Sequence, residues 1–198
     1  LFSLVGNHPD VRKAVSSDFK APGDAIYLLG ETHQELGASE LAFMLSDEGS
    51  GGIGGDVPQI DTSRNLAMYR ALTTAMRQSL VRSAHDCSDG GLAPALAECC
   101  FGADSGAEVD VTPLWGDCDA LDKWGALFGE SLGRILVSVG ESDRTAFEEA
   151  MDGHACHHLG TVSTGDNISF SKGEQTLLTA SMGDLRDAWK GALDGGAV

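Results

Sequence analysis

Positive charge is scarce in this chain. Across 198 residues, 13 Lys and Arg stand against 30 Asp and Glu, a formal net charge of −17. Such a surface repels phosphate backbones and anionic lipid, which argues against a nucleic-acid or membrane-surface protein. The acidic residues are interspersed rather than massed in a block, the pattern of a solvated surface and not of an acidic tail. Long apolar runs are missing as well: none approaches the roughly 18 residues of a transmembrane helix. The opening segment Leu1–His8 has neither a basic region nor a long apolar stretch, so no signal peptide is expected. There is no C-x-x-C pair among Cys87, Cys99, Cys100, Cys118 and Cys156, and their number is odd. Buried, reduced thiols in a cytoplasmic protein fit better than a disulfide framework. No G-x-x-x-x-G-K-[ST] string occurs, which excludes a Walker-type phosphate loop.

What is present is a 42% hydrophobic fraction and 26 glycines, about twice the usual share. The glycines fall at turns without a fixed period, which excludes collagen and low-complexity disorder. The length suits one domain, or one domain with a fragment of another. Two turn clusters, Asn7-His8-Pro9-Asp10 and Pro22-Gly23-Asp24, bracket a boundary. We expect residues 1–19 to be the exit strand and linker of a preceding domain, and 20–198 to be the domain proper.

Elements follow from periodicity and capping. Strands are expected at Ala25–Gly30, Ser83–Cys87, Ala107–Val111, Arg134–Val139, Leu159–Ser163, Ile168–Ser171 and Thr176–Leu178. Helices are expected at Ser39–Ser46, from Asp61 to about Val81, Gly91–Cys100, Leu121–Phe128, Ser142–Met151 and Asp184–Leu193. In the long second helix Leu66, Tyr69, Leu72, Thr73, Met76 and Leu80 recur at three and four, which predicts the buried stripe. In the last helix Leu185, Ala188 and Trp189 should face inward. Irregular alternation with short strands clustered late predicts an α+β fold, a mixed β-sheet covered by helices.

Four segments are candidates for chemistry. Gly49-Ser50-Gly51-Gly52-Ile53-Gly54 satisfies G-x-G-x-x-G, but a helix precedes it and Asp56-Val57-Pro58 follows. A dinucleotide site needs a strand before and a helix after, so this reads as a loop. His85-Asp86-Cys87-Ser88-Asp89-Gly90-Gly91-Leu92 runs from strand through a small turn into a helix. Its glycines permit close backbone approach, the helix start favours an anion, and Asp86 or Asp89 is a hard oxygen ligand for Mg²⁺. Spacing alone favours the plainer roles, an N-cap at Ser88 or Asp89 and a turn former at Asp86. Gly30–Glu40 is a strand-loop-helix passage that suits either an anion or ordinary capping by Ser39. His154-Ala155-Cys156-His157-His158 invites a zinc reading, but neighbouring side chains on a strand point to opposite faces and tetrahedral sites draw on separated pairs. Cys87 with His85 makes a weak nucleophile pair, with no orienting third group.

The stretches Pro22–Thr32, Glu35–Glu40, Ala84–Ala93, Phe128–Arg134 and Leu159–Val162, in that order, resemble the last domain of the phosphoribosylformylglycinamidine (FGAM) synthase family. That domain is of the aminoimidazole ribonucleotide synthetase C-terminal type. The resemblance covers about residues 20 to 193 and implies a sheet flanked by helices in α/β/α layers. It also implies that the whole enzyme is an ATP-dependent carbon–nitrogen ligase of purine synthesis. That enzyme makes FGAM from formylglycinamide ribonucleotide, ATP and glutamine-derived ammonia. The isolated domain is then expected to be inactive, with no catalytic residue of its own. Implied partners are the preceding domains of the enzyme and separate glutaminase and small adapter subunits.

By the same resemblance, Asp86 serves Mg²⁺ and Ser88 the nucleotide, ATP or ADP, at an auxiliary site. This reverses the preference drawn from spacing. Gly90, Gly91, Glu130, Ser131, Thr32 and Ser39 join the nucleotide-binding set. The resemblance further implies two copies of a paired unit in the synthetase, and in the sister domain of the first copy a Glu-Ser-Gln run contacts substrate; here that run is Glu130-Ser131-Leu132, and Leu132 cannot hydrogen-bond. After Gly30, which closes the strand, the loop through residue 40 has one glycine, Gly37, and no arginine. Both departures imply that substrate is not bound here as in the sister domain. Two other readings stand beside this one: a scaffold or interaction module without ligand, and a fragment of a related ATP-dependent synthetase or kinase of the same superfamily.

Overall fold

The computed structural model describes residues 3, 5–8, 10–46, 55–103 and 105–191. The Gly49–Gly54 string lies outside the described residues, as do Leu1, Phe2 and Leu4 of the segment expected to carry the exit strand.

Seven strands form one sheet: β1 (Ala25–Leu29), β2 (Ser83–Asp86), β3 (Gly106–Asp110), β4 (Ile135–Val139), β5 (Cys156–Ser163), β6 (Asn167–Lys172) and β7 (Gln175–Ser181). Among the described residues six α-helices accompany them: α1 (Glu40–Leu45), α2 (Thr62–Arg77), α3 (Leu92–Phe101), α4 (Lys123–Phe128), α5 (Arg144–Ala150) and α6 (Met182–Gly191). The strand order is β2-β4-β1-β5-β3-β6-β7. β3 and β6 pair in parallel while the other neighbouring strands pair antiparallel, so the sheet is mixed.

The centre of the sheet is apolar on both faces. All five residues of β1 are buried. Alternation sends Ala25, Tyr27 and Leu29 to one face, where Met68, Leu72 and Ala75 of α2 and Phe147 of α5 cover them. It sends Ile26 and Leu28 to the other face, against Leu92 and Leu96 of α3, Ala126 and Leu127 of α4, and Met182 of α6. Two helical layers therefore enclose the sheet, the α/β/α arrangement expected from the sequence.

The helices start where capping chemistry predicts. Asp61 accepts the Ser63 and Arg64 N–H groups at α2, and Asp122 accepts those of Trp124 and Gly125 at α4. The buried face of α2 differs from expectation. Met68, Leu72 and Ala75 face the sheet, while Leu66, Tyr69 and Thr73 are exposed. Apolar residues occur around much of this helix, and the narrower stripe at i, i+4 and i+7 wins. In α6, Ala188 and Trp189 are exposed and Leu185 is half-buried, although the Trp189 ring lies 5.4 Å from that of Phe101.

β5 begins at Cys156, three residues earlier than expected. Pairing with Leu29, Leu28 and Tyr27 of β1 draws Cys156, His157 and His158 into the sheet. Residues before β1 are tied to the same body. Ser16 bridges to Ser83, and Phe19 is buried with its N–H on the Cys99 carbonyl at 2.9 Å.

Candidate functional site

Two clefts lie side by side, separated by the loop that leads into β4. The smaller, about 500 Å³, is lined by Asp86, Ser88, Asp89, Glu130 and Arg134 among others; the larger, about 800 Å³, includes Glu31, Glu35, Arg64 and Ser131. Leu132 lines both.

The dividing loop is held by a buried cation. Arg134 is 1% exposed. Its Nε donates to the Ser131 carbonyl at 3.2 Å, one terminal nitrogen donates to Thr32 Oγ1 at 3.3 Å, and the other to the Gly129 carbonyl. Burial pushes its pKa down, while attraction from Cys87, Glu35, Asp117 and Glu130 opposes that shift. The chain thus folds residues 129–131 around one guanidinium, and that loop forms the wall between the clefts.

Glu130 and Ser131 project from this wall to opposite sides. Glu130 Oε1 accepts the Gly90 N–H at 2.8 Å and the Glu40 N–H at 2.9 Å, which ties the approach to α3 to the first turn of α1. Ser131 Oγ accepts the His33 N–H at 3.0 Å in the larger cleft.

Asp86, at the end of β2, is exposed, and Ser88 Oγ donates to its Oδ2. That hydrogen bond, with help from backbone and from His85, holds the carboxyl below the usual carboxylate range. Asp86 is therefore ionised at neutral pH and fixed at the rim of the smaller cleft. An exposed, ionised carboxylate beside a hydroxyl is a donor set that suits Mg²⁺. That ion keeps few protein ligands and takes the rest from phosphate and water. Among the described residues no group of three or more His, Cys, Asp or Glu is placed to hold a metal alone.

The structure brings Asp86, Ser88 and Glu130 together on one cleft. Ser131 is on the other. The remaining residues of the expected nucleotide set lie behind the walls. Thr32 is fully buried, its N–H on Asp117 Oδ2 at 2.9 Å and its hydroxyl on Arg134. Ser39 is 1% exposed; its hydroxyl donates to the Leu36 carbonyl and accepts the Ala42 N–H, which is helix capping. The two glycines have spent their N–H groups inside the protein, Gly90 on Glu130 and Gly91 on the Ser88 carbonyl at 3.1 Å. A Cβ on Gly91 would run into the Gly129 carbonyl, and its φ is +79°. Gly91 therefore serves close packing against the 128–129 backbone, Gly90 leaves room for the Pro94 ring, and the approach to α3 faces the protein's own carboxylate.

Arg134 was not among the expected site residues, and nor was Glu35. A basic residue opening the clearest strand of the chain, Arg134–Val139, was the available signal for the first.

The His154–His158 cluster is dispersed. His157 Nε2 lies 3.0 Å from Asp117, and the His158 ring lies 5.1 Å from that of Tyr27 on the other face of the sheet. His85 Nε2 is 2.7 Å from Glu98 Oε2. The Cys87 thiol is buried and pushed up to about 11 by desolvation, which removes thiolate chemistry there. All five cysteines are free, with Cys87, Cys99 and Cys100 buried. No described helix is long and apolar enough to cross a membrane.

A seven-stranded mixed sheet between two helical layers, with paired clefts built from its connecting loops, defines the class as an α+β domain of α/β/α type. The chain belongs to the family described as AIR synthase related protein, C-terminal domain, whose model matches residues 21–172. Among solved structures, it resembles Thermotoga maritima PurL complexed with FGAR, with a TM-score of 0.74 and 18% identity over 88% of this chain and 30% of that one. PurLQS from Thermotoga maritima gives 0.66 and 19%, over 87% of this chain and 27% of that one. The hydrogenase maturation protein HypE in complex with ATP gives 0.57 and 16%, over 86% and 55%. These likenesses establish the fold, and the chain spans only a part of each relative.

Proposed function

We propose that this chain is the C-terminal domain of an FGAM synthase, and that its smaller cleft is an auxiliary site for a Mg²⁺–nucleoside diphosphate or triphosphate. The supporting observation is the pairing of Asp86 with Ser88 at the rim of a cleft of about 500 Å³, within the range of nucleotide-sized pockets. Asp86, Asp89 and Glu130 outnumber Arg134 in the lining, so a bare phosphate meets a net negative surface. A phosphate that arrives with its own Mg²⁺ does not, and Asp86 then supplies the ion's protein ligand. The magnesium would neutralise phosphate charge when bound. The protein's own part is to hold Asp86 ionised through Ser88 and to keep the wall rigid through Arg134.

In this reading the domain supports the amidine-forming ligase of purine synthesis without performing the chemistry alone. Residues 1–19 are then the exit of a preceding ATP-binding domain. Glutaminase and adapter subunits would complete the enzyme, as the ordered sequence motifs imply. The PurL complexes with ATP, ADP and AMPPCP agree with nucleotide use in structures of this fold.

The test is calorimetric titration of ADP into the chain with and without Mg²⁺, repeated for Asp86→Asn and Ser88→Ala. Binding that requires Mg²⁺ and weakens in both variants supports the site. Binding unchanged by either substitution, or no binding to the chain or to the complete synthetase subunit, leaves scaffolding as the function.

A further inference from the structure

The larger cleft contains a carboxylate with half of its bonding unmet. Glu35 is 6% exposed and lines this cleft. Its Oε1 accepts the Gln59 N–H at 2.9 Å, while its Oε2 is buried without a hydrogen-bond partner. Buried carboxylate oxygens are normally paired, and this one, unpaired in the wall of a cleft, is an acceptor without its donor.

The surroundings specify what kind of donor. Glu31, Asp56 and Asp61 add their charges to that of Glu35; against them stand Arg64, the one guanidinium among the described lining residues, and Arg134, buried behind the wall, which also attracts Glu35. Arg64 is paired to Glu31 and lies 3.8 Å from Asp61, so it is not free to receive an anion. This lining disfavours phosphate and attracts a cation. The rim is rigid. Gly37 donates its N–H to the Asp56 carbonyl at 3.0 Å, and a Cβ on Gly37 would collide with the backbone of residues 55 and 56. That contact presses the 55–59 segment onto the loop and sets Gln59 against Glu35. Ile60 and Met68 supply apolar wall for an organic body. The volume, about 800 Å³, admits a ligand well beyond a hydrated ion in size.

We propose that this cleft binds a small organic cation bearing N–H donors, an ammonium or amidinium, whose charged N–H group bonds to Glu35 Oε2. The bond is charge-assisted at both ends, the strong form of the interaction. The site is separate from the Asp86 cleft and stands or falls without the nucleotide reading.

The test uses benzamidine and phenethylamine as probes, titrated without nucleotide into the full chain, with inorganic phosphate in parallel. Saturable binding of the cations is expected, with the Glu35 carboxyl carbon resonance moving on titration. Glu35→Gln, which retains an acceptor for Gln59 but turns Oε2 into a donor, should weaken binding by about tenfold. No saturable cation binding overturns the proposal, as does equal affinity in Glu35→Gln or phosphate competing for the same place. The carboxyl resonance is read in the unsubstituted chain, so the outcome does not depend on the variant folding; a resonance that stays still also overturns it.

Discussion

Glu130 occupies the place at the approach to α3 that an incoming phosphate would take, its Oε1 2.8 Å from the Gly90 nitrogen. The same oxygen accepts the Glu40 N–H, so a single carboxylate closes two helix approaches at once. Glu130→Ala leaves both N–H groups without that acceptor and should cost about 1–3 kcal/mol. Glu130→Gln, which keeps an oxygen in place, should cost less. Urea denaturation of the three proteins checks the order, and equal stability of all three would remove the clasp.

Arg134 makes a sharper demand on stability. It is a buried cation facing Glu35, Asp117 and Glu130. Arg134→Met strands those carboxylates and frees the Gly129 and Ser131 carbonyls, and should destabilise by about 3–5 kcal/mol. Lysine cannot reproduce three directed contacts from one plane, so Arg134→Lys should recover only part of the loss. Thermal unfolding followed by circular dichroism provides the comparison.

Gly91 is required by packing and by backbone conformation together. With φ at +79° and the Gly129 carbonyl against the position of a Cβ, Gly91→Ala should cost about 1–3 kcal/mol in strain. Gly173→Ala is a control with positive φ but open space around it, so it should cost less. Equal losses would mean that the contact with the 128–129 backbone is immaterial.

Asp24 gives the fold a pH dependence of unusual sign. It is 2% exposed; Arg82 donates to its Oδ1 at 2.7 Å, and its Oδ2 has no partner. Burial raises its pKa, and the attraction of Arg82 only partly offsets that. The folded state then holds this proton more tightly than the unfolded state does. Its contribution is full below the unfolded value of about 3.9 and is lost as pH rises through the folded pKa. Asp24→Asn should flatten that part of the stability profile just above pH 4, measured by denaturant midpoints across pH. A profile identical to that of the parent chain would contradict the assignment.

The central strands were legible because their signal is local. Ala25–Leu29 is a continuous apolar run, Ile135–Val139 is apolar but for Ser138, and Asp61 and Ser39 are strong caps, so β1, β4, α1 and α2 appear where the sequence points. The inward face of α2 was not legible, because Leu66 and Tyr69 compete with Met68 and Ala75, and only the sheet decides between them. β5 was seen late in its course because Cys156, His157 and His158 give no alternation signal. Their strand state comes from pairing with β1.

At the candidate site, the Asp86–Ser88 contact follows from residues two apart and was open to sequence reasoning. Thr32 and Ser39 looked like ligand groups because a hydroxyl that caps and a hydroxyl that binds share one pattern. Their burial emerges only when residues near 130 close over them. Glu35 lay beyond reach for the same reason, since the burial of a charge is set by partners distant in sequence, and Arg134 offered only its place at the head of β4 as a signal.

The most direct measurement of the central claim is paramagnetic broadening of backbone amide resonances by Mn²⁺–ADP, with the manganese in place of magnesium. If the nucleotide's metal sits on Asp86, the amides of Ser88, Asp89 and Gly133 broaden first, and Asp86→Asn abolishes the effect. Broadening centred on Glu31 and Glu35, or broadening that persists in Asp86→Asn, contradicts the account.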